Sequence, residues 1–215
     1  WAIWGQELVA SDAKVLEQCQ KTTTKLNIRH SALVVTRRAF RKVVSCQDSA
    51  EASISDAIEG LSAKAAQPNA RNAIMLGVIA GVCSRKPEAK GILERKKANY
   101  YNFYTREIIG SRTPVPAHIA NGLYDFFLDF TSAEELAKHV APPLEKALLR
   151  APEIVLDDLV TPLVESLPDS IDLSKILQEN LLKPLLSNLK STNATIRNGA
   201  HTAFRVTIPR CHDEE

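Results

Sequence analysis

Ile196-Arg197-Asn198-Gly199-Ala200 has the form Ile-Arg-x-x-Ala, and so does Ile28-Arg29-His30-Ser31-Ala32, 168 residues earlier. That spacing is four intervals of 42, and Arg71, in Pro68-Asn69-Ala70-Arg71-Asn72-Ala73, stands one interval after Arg29. A self-similar period near 40 residues without strand-like alternation is the pattern of stacked helix pairs of the HEAT or armadillo kind. The C-terminal half carries the period again. Pro143-Leu144-Glu145-Lys146-Ala147-Leu148-Leu149 aligns with Pro184-Leu185-Leu186-Ser187-Asn188-Leu189-Lys190 at an offset of 41. Each proline falls midway along the first helix of its pair, where the missing N–H bends the helix. The alternative is that each proline opens a new short helix.

Outward from these anchors, helical periodicity runs almost throughout. Punctuation by Pro, Asn, Ser and Asp falls at Gln47-Asp48-Ser49, Gln67-Pro68-Asn69, Arg85-Lys86-Pro87, Thr113-Pro114-Val115-Pro116, Thr131-Ser132, Ala151-Pro152, Leu167-Pro168-Asp169 and Ser191-Thr192-Asn193. These residues suit helix starts and turns. The reading predicts helices over 7–25, 27–46, 50–66, 69–84, 87–110, 115–130, 133–150, 152–167, 174–190 and 194–208. Short connections make successive helices antiparallel. The expected fold is therefore all-α, an α-solenoid of HEAT-like antiparallel helix pairs, about ten helices in five repeats. Residues 1–215 read as a single HEAT-repeat segment, and the opening on Trp1 without Met marks it as a fragment of a longer solenoid.

Ala73 to Cys83 is the longest apolar run, too short to cross a bilayer, and reads as a helix buried between neighbours. Gly77 and Gly81, four apart on one face, allow close helix approach; no strand or Gly-Lys-Ser/Thr accompanies them, so they are not a phosphate loop. Arg29, Arg71 and Arg197 open second helices and are expected to be structural, each reaching the turn of the adjacent repeat. The four cysteines, Cys19, Cys46, Cys83 and Cys211, are widely spread with no Cys-x-x-Cys spacing, and read as reduced, mostly buried thiols of a cytoplasmic protein. No secretory signal pattern is visible, so Asn193-Ala194-Thr195 carries no weight as a glycosylation triplet.

No catalytic constellation stands out. The five histidines, His30, His118, His139, His201 and His212, form no His-x-x-x-His pair, and no nucleophile elbow, kinase or nucleotide signature is present. Asp157-Asp158 and Glu134-Glu135 read as solvated helix surface. The expectation is a non-enzymatic chain with no cofactor and no metal.

Charge is more informative. Residues 1–112 hold 18 Lys/Arg and 10 Asp/Glu, a net +8, whereas 113–215 hold 9 and 15, a net −6. The basic residues gather in two clusters. One is Arg37, Arg38, Arg41 and Lys42. The other is Arg85, Lys86, Lys90, Arg95, Lys96 and Lys97, followed by Tyr100-Tyr101-Asn102-Phe103-Tyr104. Basic stripes beside aromatics hold RNA phosphates with affinity that falls as salt rises. The clusters have two readings: nucleic-acid or ribosome contact, or else a solvated surface or contact with an acidic protein. The aromatics are expected to face the core.

The stretch from Lys97 to Leu173 resembles a family, the general-control translational activators, very large HEAT-repeat proteins that activate the starvation-responsive kinase of initiation factor 2. The likeness is carried by Phe103-Tyr104, Ile108-Ile109-Gly110-Ser111, Pro114-Val115-Pro116, Leu144-Glu145-Lys146-Ala147-Leu148-Leu149-Arg150-Ala151-Pro152-Glu153, Leu163-Val164-Glu165-Ser166-Leu167 and Ile171-Asp172-Leu173-Ser174. Leu148-Leu149-Arg150-Ala151-Pro152-Glu153 is the most specific part, since helical repeats in general do not prescribe it. The resemblance implies the N-terminal region of a non-enzymatic cytoplasmic scaffold. Such a scaffold associates with ribosomes (rRNA or ribosomal protein), binds an ABC-class ATPase and recruits the kinase through other regions of the full-length protein, with no membrane partner. No single functional residue follows from it. The competing expectation is a protein-docking HEAT or armadillo solenoid of another class, a transport or phosphatase scaffold.

Overall fold

The computed structural model of the chain describes residues 50–63, 69–85, 87–111, 120 and 123–212. The helices expected over 7–25 and 27–46 lie outside these residues. All nine regular elements among the described residues are helices. The first four are α1 (Ala50–Ser62), α2 (Asn69–Cys83), α3 (Pro87–Arg95) and α4 (Lys97–Phe103 continued by Tyr104–Ile109). Next come α5 (Tyr124–Phe130) and α6 (Ala133–Glu135, Leu136–Val140 and Ala141–Arg150 in one rod). The last are α7 (Pro152–Val155, Leu156–Val160, Thr161–Ser166), α8 (Ser174–Ile176, Leu177–Leu181, Leu182–Leu189) and α9 (Ala194–Thr207), closed by the 3-10 turn Ile208–Arg210.

The described residues are all-α, as the periodicity predicts. The expected helix 87–110 is interrupted at Lys96, where bonding tightens to i→i−3 and the Lys96 N–H donates to Leu93 O at 3.0 Å. Helix α1 stops at Ser62, earlier than expected. The chain divides into two compact units between Tyr100 and Tyr101.

In the first unit α1, α2 and α3 pack on one another. Helix α2 is apolar nearly all round: Ala73, Met75, Leu76, Val78, Ile79, Val82 and Cys83 are buried. Three polar bonds tie the unit together. Asn72 Nδ2 donates to Leu61 O at 3.0 Å, Asn99 Nδ2 to Ser62 Oγ at 2.9 Å, and the Tyr100 hydroxyl to Leu76 O at 2.8 Å. Burial pushes the Cys83 thiol up to about 12, so it stays protonated and inert.

In the second unit six helices form three successive pairs, α4 with α5, α6 with α7, and α8 with α9. The first pair is welded by aromatic rings. Phe127 sits 4.7 Å from Tyr104 and 5.4 Å from Phe126, and Tyr101 lies 5.2 Å from Phe126, all edge-on. The aromatic run that followed the basic cluster is thus core, as expected: Tyr100, Tyr101, Phe103 and Tyr104 are all buried.

Equivalent helices of neighbouring pairs are joined by bonds between residues 35 to 43 apart in sequence. Arg150, ending α6, donates from Nη2 to Ile109 O at the end of α4, 3.3 Å. Arg210 does the same from the end of α9 to Leu167 O beyond α7, 3.0 Å. Asn180 Nδ2 on α8 donates to Glu145 Oε2 on α6 at 3.2 Å, and Asn193, capping α9, bonds Glu153 at the start of α7. The arginines satisfy carbonyls that a helix end leaves orphaned.

The prolines do lie inside continuous helices. The N–H of Ala141, Thr161 and Leu182 each donates five residues back, to Leu136, Leu156 and Leu177. One or two residues later stand Pro142, Pro162 and Pro184. Proline supplies no N–H and crowds the carbonyl four residues behind it. A single π turn just upstream re-pairs the carbonyls with the next available donors. In α4 the wide turn has no proline; it closes where Gly110 N–H donates to Thr105 O at 2.9 Å. A Cβ on Gly110 would stand 2.8 Å from Arg106 O, so only glycine fits there.

Between α7 and α8, Asp172 accepts from Ser174 Oγ at 2.6 Å, from Ser174 N–H at 2.9 Å and from His212 N–H at 3.1 Å. These bonds, led by the Ser174 hydroxyl, lower its carboxyl from the ordinary 3.8 to about 2. Well above the unfolded value of 3.8 the carboxyl is ionised in both folded and unfolded chains, and there this contribution to stability is complete. It is lost as pH falls from about 4 to about 2, because the unfolded chain takes up the proton first. Urea midpoints measured across that window should fall less steeply in Asp172→Asn than in the parent; parallel curves would refute the assignment.

Candidate functional site

Of the basic residues singled out in the sequence, Arg37, Arg38, Arg41, Lys42 and Lys86 lie outside the described residues. The rest belong to the first unit. Arg85 and Lys90 are exposed, the former just after α2 and the latter on α3. Around Lys96 the structure gathers Arg95, Lys96 and Lys97, but it pairs each with a carboxylate. Arg95 bonds Glu51 and Lys96 bonds Glu59, two acids eight residues apart on α1. Lys97 bonds Glu94 at 2.7 Å. Lys96 and Lys97 keep only 24% and 22% of their side-chain surface, whereas Arg95 keeps 60%. Exposed pairs of this kind hold by about 1 kcal/mol or less. The Arg95 pair is the more exposed of the three, and the two lysines are the more enclosed.

Arg197, expected to reach the adjacent repeat, instead serves its own helix. Its Nη1 donates to Ser191 O and Thr192 O, both at 2.8 Å, in the turn before α9. Helical side chains lean toward the N-terminus, and Arg197 lies four residues after the cap Asn193. The bonds between repeats fall to Arg150 and Arg210, at helix ends. The side chains of Arg29 and Arg71 lie outside the described residues. Asn193 is also explained: its side chain accepts from Thr195 N–H at 2.9 Å as the α9 cap.

The second unit carries an acidic surface, on helices apart from the basic clusters. Residues 113–137 and 151–174 contain no Lys or Arg, but four and six acidic residues respectively. These stretches include α5 and α7, which pack side by side. On α5 stand Tyr124, Asp125, the 48%-exposed Leu128 and Asp129; on α7 stand Asp157, Asp158, Thr161 and Glu165. Partial burial and the adjacent Asp157 hold the Asp158 carboxyl above its ordinary value. Burial raises the Tyr124 hydroxyl, and Asp158 and Glu165 lie near enough to it to add to the shift. Tyr104, fully buried, lies against Tyr124. The two tyrosine hydroxyls interact with each other, and the buried Thr161 hydroxyl has no hydrogen-bond partner among the described residues. The signal in the sequence was an absence, two runs without a cation.

Among the described residues nothing resembles an acid–base or nucleophilic centre. The described residues hold no group of three or more His, Cys, Asp or Glu residues able to bind a metal. A cavity of about 20 Å³ among α6, α7 and α8 is lined by leucines, Ile176, two valines and Ala141, with no polar side chain for chemistry. Among the described residues no helix is long and apolar enough to cross a membrane.

The family described as "Stalled ribosome sensor GCN1 N-terminal" matches residues 97–215, more than half of the chain. The mouse protein "Stalled ribosome sensor GCN1" is 27% identical over 147 residues, covering 68% of this chain and 5% of that protein. The human protein of the same name is 28% identical over the same length, with the same coverage. The "eIF-2-alpha kinase activator GCN1" of Saccharomyces cerevisiae is 25% identical over 214 residues, covering 92% of this chain and 8% of that protein. The chain spans less than a tenth of the length of these relatives. No solved structure matches it.

Proposed function

The chain belongs to the GCN1 N-terminal family, and on that premise we propose that it is a non-enzymatic scaffold segment of a translational activator. In this reading it associates with ribosomes and helps to activate the amino-acid-starvation kinase of initiation factor 2. The observation that carries the proposal is the family match over the unit whose three helix pairs are stapled end to end by Arg150 and Arg210. Such a unit offers surface, not a pocket. The proposal extends to residues 1–215 as one HEAT-repeat segment, acting in the cytoplasm. An ABC-class ATPase and the kinase itself belong to other regions of the full-length protein. Arg85, Lys90, Arg95, Lys96 and Lys97, with Arg37, Arg38, Arg41, Lys42 and Lys86, are the proposed ribosome contacts.

Sedimentation of the purified chain with ribosomes tests the reading. The chain should pellet at about 50 mM salt and stay largely in the supernatant at about 200 mM, because phosphate contacts release counterions. Reversing the charge at Arg95, Lys96 and Lys97 together should abolish pelleting at the lower salt. Absence of co-sedimentation at low salt, or pelleting indifferent to those reversals, would overturn it.

A further inference from the structure

We propose that the outward face of α8 is a docking groove for an acidic amphipathic helix of a partner protein. Leu182 and Leu186 receive the apolar stripe of that helix, and Lys183 and Lys190 receive its carboxylates.

Three observations converge on this face. The first is an uncovered apolar stripe. Among the described residues α8 packs on α6 and on α9. Ile176, Leu181 and Leu185 are buried in that packing. Leu182 and Leu186 lie outside it and keep 36% and 46% of their surface. Four residues apart, they stand one above the other on the same side of the helix.

The second is shape. An open concavity of about 420 Å³ lies over the stripe, lined by Gln178, Leu182, Lys183, Leu186, Ser187 and Lys190. The lining spans 178 to 190, which is about 18 Å of helix at 1.5 Å per residue. A trough of that length along one helix suits a second helix laid beside it, read through apolar anchors three or four residues apart.

The third is charge. Lys175, Lys183 and Lys190 are exposed, and none has an ion-pair partner among the described residues. Arg95, Lys96, Lys97 and Arg210, by contrast, each meet a carboxylate. The one acid of α8 is Glu179. Lys183 and Lys190 stand two turns apart, about 10 Å, so acids at the same spacing on a partner helix meet both. The lysine stems extend the apolar floor while their heads hold the carboxylates.

Other occupants fit one half of the face and not the other. A basic helix is repelled. A second copy packed symmetrically through α8 sets the same lysines against one another. An RNA strand pairs with the lysines but leaves the leucines bare, and α8 has no aromatic ring on which bases stack. The inference is independent of the ribosome reading, whose described contacts lie in the first unit.

The experiment uses the 215-residue chain and fluorescence anisotropy. The probe is a fluorescein-labelled helical peptide of about sixteen residues, long enough to hold helix, with leucines at every third or fourth position and glutamates flanking them. A twin peptide carries lysine in place of each glutamate. The parent should bind the acidic peptide and not the twin. Leu182→Ala with Leu186→Ala should raise Kd about tenfold, and so should Lys183→Glu with Lys190→Glu, by about the same factor. All four side chains are exposed, and circular dichroism should show the fold unchanged. Matched controls elsewhere, Leu128→Ala with Leu149→Ala and Lys138→Glu with Lys146→Glu, should stay within about twofold of the parent. The proposal falls if the acidic peptide does not bind, if the twin binds as well, if the α8 variants leave Kd unchanged or if the controls raise it equally. It falls too if labelled oligouridylate binds and loses affinity in the α8 lysine variant. Self-association of the parent in sedimentation, abolished by the leucine variant, would equally overturn it by assigning the stripe to a second copy. Ribosome pelleting should be the same for the α8 variants and the parent, so loss of peptide binding and loss of pelleting separate the two readings.

Discussion

Phe127→Ala should lower the stability of the second unit by about 3–5 kcal/mol, the range for emptying a buried aromatic site. Phe127 is fully buried and touches Tyr104, Tyr101, Tyr124 and Phe126 through ring contacts. Edge-on aromatic pairs add about 0.5–1.5 kcal/mol each beyond the area they bury, so the loss is not apolar transfer alone. The ring also stands where α4 and α5 meet, and removing it leaves two buried tyrosine hydroxyls beside a void. Thermal unfolding followed by circular dichroism should show the midpoint falling by about 10 °C. Leu149→Ala is the matched control. Leu149 is 67% exposed, and its truncation should move stability by about 0.5 kcal/mol or less. Equal shifts in the two variants would refute the packing described for the first pair.

Gly199→Leu should cost about 3 kcal/mol, through crowding between α7 and α9. A Cβ on Gly199 would meet Asp157 Oδ1 at 3.0 Å, Leu156 Cβ at 3.1 Å and Leu156 Cδ1 at 3.4 Å. The carboxylate can swing away. Leu156 is fully buried and its Cβ is fixed to the α7 backbone, so it cannot. Two opposing terms decide the sign. Replacing glycine within a helix gains about 1 kcal/mol of propensity, whereas forcing extra methylenes into a packed interface costs about 1–3 kcal/mol or more. Gly199→Ala should therefore lie near neutral, the propensity gain offsetting one tight contact. Gly199→Leu adds three more carbons with nowhere to go. Urea denaturation of both variants checks the pair. A leucine variant as stable as the alanine variant would mean that α7 and α9 do not approach as closely as described.

Much of this architecture can be read from residue order. The starts of α6, α7, α8 and α9 fall at the predicted positions 133, 152, 174 and 194, because Ser132, Pro152 and Asn193 are strong local signals for starting a helix. The buried α2 and the buried aromatic run are legible for a related reason: a helix without a polar face has to be covered. The wide turns are not legible. Pro143 and Pro184 announce a disturbance, but whether the backbone kinks, breaks or widens depends on whether the freed carbonyls find other donors, which is a three-dimensional matter. The direction of Arg197 is not legible for the same reason, because a long side chain at the start of a helix can serve either its own turn or a neighbour's. In the segment Leu148-Leu149-Arg150-Ala151-Pro152-Glu153, Arg150 and Glu153 make bonds to neighbouring pairs while Leu149 faces water. Its specificity thus reflects repeat joining. The acidic face shows in the sequence only as two stretches of about 25 residues without Lys or Arg, a signal weaker than any motif.

The π turns bear on how such a chain changes length over evolutionary time. A π turn holds one residue more than a regular helix needs, so a single insertion or deletion can be taken up within it and the flanking turns keep their facing. Bonded partners in neighbouring pairs are 35 residues apart for Glu145 and Asn180, 40 for Glu153 and Asn193, 41 for Ile109 and Arg150, and 43 for Leu167 and Arg210. A lineage can therefore gain or shed single codons within these helices without unstacking the array, and repeat sequences can lose their rigid arithmetic while the rods stay in place.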